Sequence, residues 1–247
     1  MQFACIISST YSQVPGMNFL RNSLFAIGFL LATSLEAADV KPVKWPNEFS
    51  VRFVSNVTWN ITSREQVTPI PATMYYNWDI QSQLVEHGAG AVECLHFYNS
   101  ALPCKLYFTK TGLYRVLERP LPPGEPECCL DMPQIKASPP NWAIVSNATY
   151  EGVQKDVYSQ IEAESFSFLS AAGPMGPHKY FQTVATKLPL IFTFPAHSGR
   201  QDYHFDPTSM SISPQDPKLF ALPSGCFNVL CNSTTGQHYW IRVKTIW

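Results

Sequence analysis

Val51-Arg52-Phe53-Val54-Ser55-Asn56-Val57-Thr58-Trp59 puts Val51, Phe53, Ser55, Val57 and Trp59 on one side of an extended chain and Arg52, Val54 and Asn56 on the other. A period of two, rich in β-branched and aromatic residues, is the pattern of a strand buried on one face. The same pattern returns downstream, where Met74, Tyr76, Trp78 and Ile80 alternate with Tyr75, Asn77 and Asp79. Two further runs, 105–109 and 113–117, are separated by Lys110-Thr111-Gly112. Three turn residues ending in Gly, which reaches left-handed backbone cheaply, predict a hairpin. Gln160 to Leu169 predicts a strand with Phe166 and Phe168 on one face. His178–Ala185 with Leu188–Phe194 predicts one antiparallel pair, and Arg200–Phe205 with Thr208–Ser213 another, turning at Asp206-Pro207. Gln215 to Phe220 reads as a short helical turn, with Asp216 as cap and Pro217 at the first helical position.

Between these runs, Arg119–Pro140 is dense in proline and surrounds Cys128-Cys129. Proline removes backbone donors and breaks helices, so this stretch predicts an extended connection without regular structure. Asn141–Tyr150 is expected to continue as loop. There is no internal repeat. About eight to eleven antiparallel strands in one all-β domain with minor helix, a sandwich or an open barrel, is the simplest account.

Across the 247 residues, 17 Lys+Arg balance 18 Asp+Glu, which leaves no basic field to hold a nucleic acid. Charged residues make up 14%, against about 25% in an ordinary soluble domain. From Met17, Arg21 precedes an apolar run, Leu24 to Leu31, and then the small residues Ala32, Ser34, Ala37 and Ala38. That is the layout of a secretory signal peptide. Residues 1–37 are therefore expected to be an extension plus signal peptide, 38–231 a β domain, and 232–247 a tail.

Export changes how cysteines read. Beyond Cys5, the chain holds Cys94, Cys104, Cys128, Cys129, Cys226 and Cys231. An even number in an oxidising compartment implies disulfides. Cys94 and Cys104 flank a turn-prone segment containing Asn99, Ser100 and Pro103, which favours a local bridge. Cys128 and Cys129, too strained to bridge each other, would bond Cys226 and Cys231 in an order that spacing leaves open. The cysteine spacing fits no zinc site. Asn56, Asn60, Asn147 and Asn232 each head an Asn-x-Ser/Thr triplet without proline and are candidate glycosylation sites.

Common catalytic motifs are absent: there is no G-x-S-x-G, H-E-x-x-H, P-loop or G-x-G-x-x-G. Asp202, His204 and Asp206, at alternate positions on a strand, could offer carboxylate, imidazole and carboxylate to a divalent metal. The blander alternative is a solvated face behind buried Tyr203 and Phe205. Phe53, Trp78, Phe108, Phe166, Phe168, Phe192, Phe194, Tyr203 and Phe205 are a stronger signal. If their faces meet, they form either a solid core or an apolar ligand pocket.

Asp216-Pro217-Lys218-Leu219-Phe220-Ala221-Leu222-Pro223-Ser224-Gly225-Cys226 resembles the Asp-Pro-x-x-Phe-x-x-Pro-x-x-Cys ending of the ependymin-related proteins. Tyr158-Ser159 after a sequon-bearing loop, and Pro103-Cys104-Lys105 before a hairpin, are also similar. The resemblance spans residues 70–231. It implies two curved antiparallel sheets in an open half-barrel, like bacterial lipoprotein carriers, with an apolar pocket for lipid or fatty acid. It further implies secretion, homodimers, an association with calcium and cell-matrix adhesion, and a bridge from Cys128 or Cys129 to Cys226. The doubled cysteine, the proline-rich 119–140 and the tail beyond Cys231 depart from that pattern. The expected function is a non-enzymatic binding protein for an apolar molecule. The rivals are calcium-dependent matrix adhesion without a pocket, and a secreted hydrolase built on unrecognised carboxylates.

Overall fold

Strand β1 (Glu48–Thr58) carries the deciding alternation and occupies the centre of the sheet in a computed structural model of the protein. The residues described are 40–58, 69–91, 93–94, 102–117, 127–156, 159–169, 177–196, 199–226 and 230–231, all within the compact unit Asp39–Trp247. The signal-peptide reading, the tail, Asn60 and Asn232 lie outside them. After β1 come β2 (Ile70–Asn77), β3 (Ser82–His87), β4 (Cys104–Phe108), β5 (Leu113–Leu117), β6 (Cys128–Met132), β7 (Thr149–Lys155), β8 (Glu162–Leu169), β9 (Pro177–Thr183), β10 (Pro189–Ala196) and β11 (Gly199–Phe205). All pairings between these strands are antiparallel, in the order β6-β5-β4-β3-β2-β1-β11-β10-β9-β8-β7.

The all-β, open antiparallel reading holds. The strands assigned to two sheets are joined into one, because β1 pairs with β2 along one edge and with β11 along the other. Val51 faces Met74, and Phe53 faces both Ala72 and Phe205. The first and last parts of the chain thus meet at the middle of the sheet. The ends, β6 and β7, do not pair with each other, so the sheet stays open.

Four local expectations are corrected. Residues 128–132 form strand β6 inside the proline-rich connection, because no proline falls within these five residues and β5 supplies a partner ladder. The 141–150 loop contains a helical turn, Trp142–Val145, and the start of β7. The strand run through Trp78 and Ile80 stops at Asn77, and residues 78–81 turn the chain into β3. Thr208–Ser213 does not pair with β11. Pro207–Ser209 is a 3-10 turn capped by Asp206, and the chain then touches β1 through one bridge, Ser50 to Ser211.

The β4–β5 hairpin forms as expected, with Phe108 opposite Leu113. Gly112 lies at φ +146°, and a Cβ there would come within 2.8 Å of Leu130 Cδ1 and of the Pro133 backbone. Strand β6 passes too close to this turn for any side chain. Gly112→Ala is expected to cost about 2 kcal/mol or more, beyond the usual strain of a misplaced residue. Urea midpoints for wild type and variant would measure it, and a loss under about 0.5 kcal/mol would contradict this packing.

The motif at 216–226 works as a staple. Asp216 accepts a hydrogen bond from the Lys218 amide, and Pro217 opens the 3-10 turn Pro217–Phe220. Phe220 then packs with Leu84, Tyr107, Tyr114 and Val116 on the outer face of β3–β5. Cys226 joins the same cluster and bonds Cys128. Cys129 bonds Cys231, and Cys94 bonds Cys104 across 10 residues.

Candidate functional site: an aromatic inner face

Side chains alternate across a strand, so one face of the sheet collects every second residue. Here that face is largely apolar. All eleven strands contribute to a single cluster, among them Phe49, Phe53, Tyr76, Leu106, Met132, Tyr150, Phe166, Tyr180, Phe192 and Phe205. Phe53, Phe166, Phe168, Phe192 and Phe205, singled out in the sequence, are buried there, and Trp78, Phe108 and Tyr203 pack against it half-buried. Phe194 lies opposite Gln201 in β10, and its side chain falls outside the described residues.

Among the described residues no second sheet covers this face; short segments with little regular structure do so, and two of them insert one indole each. Trp45, in the lead-in to β1, contacts Phe49, Tyr76 and Tyr180 with ring centroids 5.6, 6.2 and 6.4 Å away. Trp142, in the helical turn, lies 5.3–5.6 Å from Tyr180, Phe192 and Phe168. The two indoles meet edge to face at 5.5 Å. Polar groups clasp the covering segments together and to the sheet. The Trp45 amide donates to the Pro140 carbonyl (2.8 Å), Trp45 Nε1 to the Tyr180 hydroxyl (3.1 Å), and the Tyr76 hydroxyl to the Ser138 carbonyl (2.7 Å). Burial raises the Tyr76 and Tyr180 hydroxyls well above the ordinary phenol range, which keeps both neutral, the first donating to Ser138 and the second accepting from Trp45. Both tryptophans escape a search for strand periodicity because neither lies in a strand. The available signal is a large aromatic beside proline, as in Trp45-Pro46 and Pro139-Pro140-Asn141-Trp142.

At the β1–β11 part of the face the lining becomes polar. Glu93, on the segment after β3, accepts hydrogen bonds at Oε1 from the Ser55 hydroxyl (3.2 Å), the Tyr203 hydroxyl (2.6 Å) and the Gln201 amide. His87 stands beside it, with its ring 6.0 Å from that of Phe53. Phe53 and His87 also line a recess of about 300 Å³ over β1–β3, together with Ala72, Thr73, Arg52 and Glu86. The last two are engaged in ion pairs, Arg52 with Asp206 at 3.2 Å and Glu86 with Lys105 at 2.7 Å.

The candidate metal triplet does not assemble. Both Asp202 oxygens accept from Arg200 Nε, at 2.7 and 2.8 Å. Asp206 caps the following turn through the Thr208 amide and hydroxyl. Asp202 and His204 share a strand face, but Asp206 has already left the strand. Among the described residues, no group of three or more His, Cys, Asp or Glu could hold a metal ion. Of the sequons, Asn147 is exposed in a left-handed turn at φ +53°, whereas Asn56 is half-buried in β1 opposite Asp202.

Burial also sets a pH response. His87 is held below its ordinary value by burial, against the pull of Glu93, and burial pushes His178 down to about 4. His204 is lowered by burial too, opposed by Asp202 and Asp156. Unfolding lets each imidazole take a proton near 6.5, which the folded state resists. The folded state therefore keeps its full stability above pH 6.5 and loses it as pH falls towards 4. His178 alone accounts for a loss of roughly 3 kcal/mol. Urea denaturation at pH 7.5 and pH 4.5 is expected to show a clearly lower midpoint in acid. Equal midpoints would mean that these imidazoles are exposed.

No family model matches the chain, and no curated protein sequence matches it. Solved structures do. The fold is similar to an uncharacterized conserved protein from Thermus thermophilus, at 12% identity over 75% of this chain and 90% of that one, with a TM-score of 0.44. It is also similar to a LolA superfamily protein from Nitrosomonas europaea, at 6% identity over 72% of this chain and 91% of that one, with a TM-score of 0.33.

Proposed function

We propose that this chain is a secreted binding protein of ependymin-like type that shelters an apolar molecule, such as a lipid or fatty-acid chain, against the aromatic inner face of its sheet. One observation carries the reading: an apolar cluster drawn from all eleven strands of an open sheet is covered, among the described residues, by short segments with little regular structure, two of which insert one indole each. An ordinary core is closed by a second sheet or a set of helices. A cover with little regular structure opens at low cost, and lid-like elements come from such regions. A chain that takes the cover's place leaves water at roughly 0.8 kcal/mol per methylene. Binding, not turnover, is the act proposed. The three disulfides support passage through an oxidising compartment, and of the two described sequons exposed Asn147 is better placed than half-buried Asn56 to carry a glycan.

Titration of the folded protein with a bromine-labelled fatty acid tests the reading. Bromine quenches indole emission on contact, so saturable quenching is expected, with most of its amplitude lost in the Trp45→Phe/Trp142→Phe variant. Absence of saturable quenching in wild type would overturn the proposal.

A further inference from the structure

The polar node in the inner face has an unfinished side. The three donors to Glu93 among the described residues converge on Oε1. Its other oxygen, Oε2, and His87 Nδ1 have no hydrogen-bond partner among the described residues. The two atoms face each other at 3.7 Å, on side chains only 2% and 1% exposed. That distance is too long for a direct hydrogen bond. A buried donor or acceptor left unmade costs about 1–3 kcal/mol, so a pair of them side by side matches a polar group that meets both.

We infer that His87 and Glu93 form the head-group site of the ligand-binding face, and that the group they take is a neutral hydroxyl at the end of an apolar chain. The inference rests on the binding role proposed above and names its ligand class. A hydroxyl donates one hydrogen bond and accepts another. With the proton of neutral His87 on Nδ1, the site offers one donor there and one acceptor at Glu93 Oε2. Burial keeps His87 neutral at pH 7 despite Glu93, so the pair does not supply a cation for a carboxylate head. A second carboxylate beside Glu93 would instead meet like charge. The surroundings suit the chain attached to such a hydroxyl. Phe53 stands against His87, and the rings of Tyr203 and Phe205 lie 5.0 and 5.4 Å from Phe53, leading away along the aromatic face. Tyr203 is half-buried and bonds Glu93, which places the node at the margin of the covered region.

Competition against a bound apolar fluorophore separates the possibilities, using the full-length, disulfide-bonded protein with hexadecanol, its methyl ether and hexadecanoic acid. Hexadecanol is expected to displace the fluorophore at a concentration at least about tenfold below either rival, and Glu93→Gln to shrink that preference to about twofold. A factor of ten corresponds to about 1.4 kcal/mol, within the range of one buried hydrogen bond to a charged group. If all three compounds compete equally in wild type, the head-group site is overturned while the apolar binding role stands. If none binds, both fall. An alcohol preference that survives intact in Glu93→Gln also overturns the assignment. The wild-type comparison needs no variant, so it decides even where Glu93→Gln fails to fold.

Discussion

Trp142→Ala is expected to lower the free energy of unfolding by about 3–5 kcal/mol, the range for removing a large aromatic from a packed interior. The side chain is only 6% exposed and stands at the junction of both halves of the cover. It touches Trp45 on one side and Phe168, Tyr180 and Phe192 on the other. These partners sit on three different strands and on the opposing segment, so no single shift fills the space. Trp45→Ala should cost a comparable amount. Because the two rings meet, the double variant is expected to cost less than the sum of the singles. Chemical denaturation of the four proteins gives the coupling directly. A Trp142→Ala loss below about 1 kcal/mol would show that the inner face is not closed by this indole, and the account of the cover would fail.

Removal of the two long-range disulfides is expected to be strongly non-additive. Cys128–Cys226 and Cys129–Cys231 close loops of nearly the same extent, with separations of 98 and 102 residues. Once either is formed, the other closes only a small ring through the adjacent Cys128 and Cys129. Loss of one bridge therefore forfeits only the small-ring contribution, about 2–3 kcal/mol by the chain-entropy relation. Loss of the second releases a loop of about 100 residues and costs about 4–5 kcal/mol more. Paired alanine substitutions, 128/226, 129/231 and all four, measure both steps. The larger step should also unseat the turn Pro217–Phe220 and expose Tyr107, Tyr114 and Phe220 on the outer face. If the first bridge removed already cost as much as both, the shared-loop account would be wrong.

Much of the strand content was legible in the sequence, for a local reason. In β1 the alternation of side chains is itself the signal of a strand buried on one face, and the runs that form β4, β5, β8, β9, β10 and β11 stand out between their turns, although β5 and the middles of β8 and β10 are buried on both faces. β6 was hidden because its strand character comes from its neighbour and its disulfides, whereas its surroundings are rich in proline. β3 and β7 are weak by pattern, and the ladders of β2 and β4 and of β8 bring them into the sheet. The expected pairing of Thr208–Ser213 with β11 failed because the capping geometry of Asp206-Pro207 outweighs a marginal alternation.

The candidate site divides in the same way. Phe53, Phe166, Phe168, Phe192 and Phe205 could be chosen from periodicity alone, since a residue in phase with its strand must share the inner face. Trp45, Trp142, His87 and Glu93 could not, because nothing local relates Ser55, Glu93 and Gln201, which meet only when β1 closes against β11 and the segment after β3 folds over both.

By itself, then, the amino-acid order determined the chemistry of each strand face, the turns that reverse it and the cysteines available to tie it, because all of these are set by residues a few positions apart. Tertiary structure alone decided that the strands make one open sheet, which cysteine of each pair meets which, and what covers the aromatic face. Those outcomes depend on contacts between residues up to about a hundred positions or more apart, where the choice among partners is made by packing and loop closure rather than by local preference.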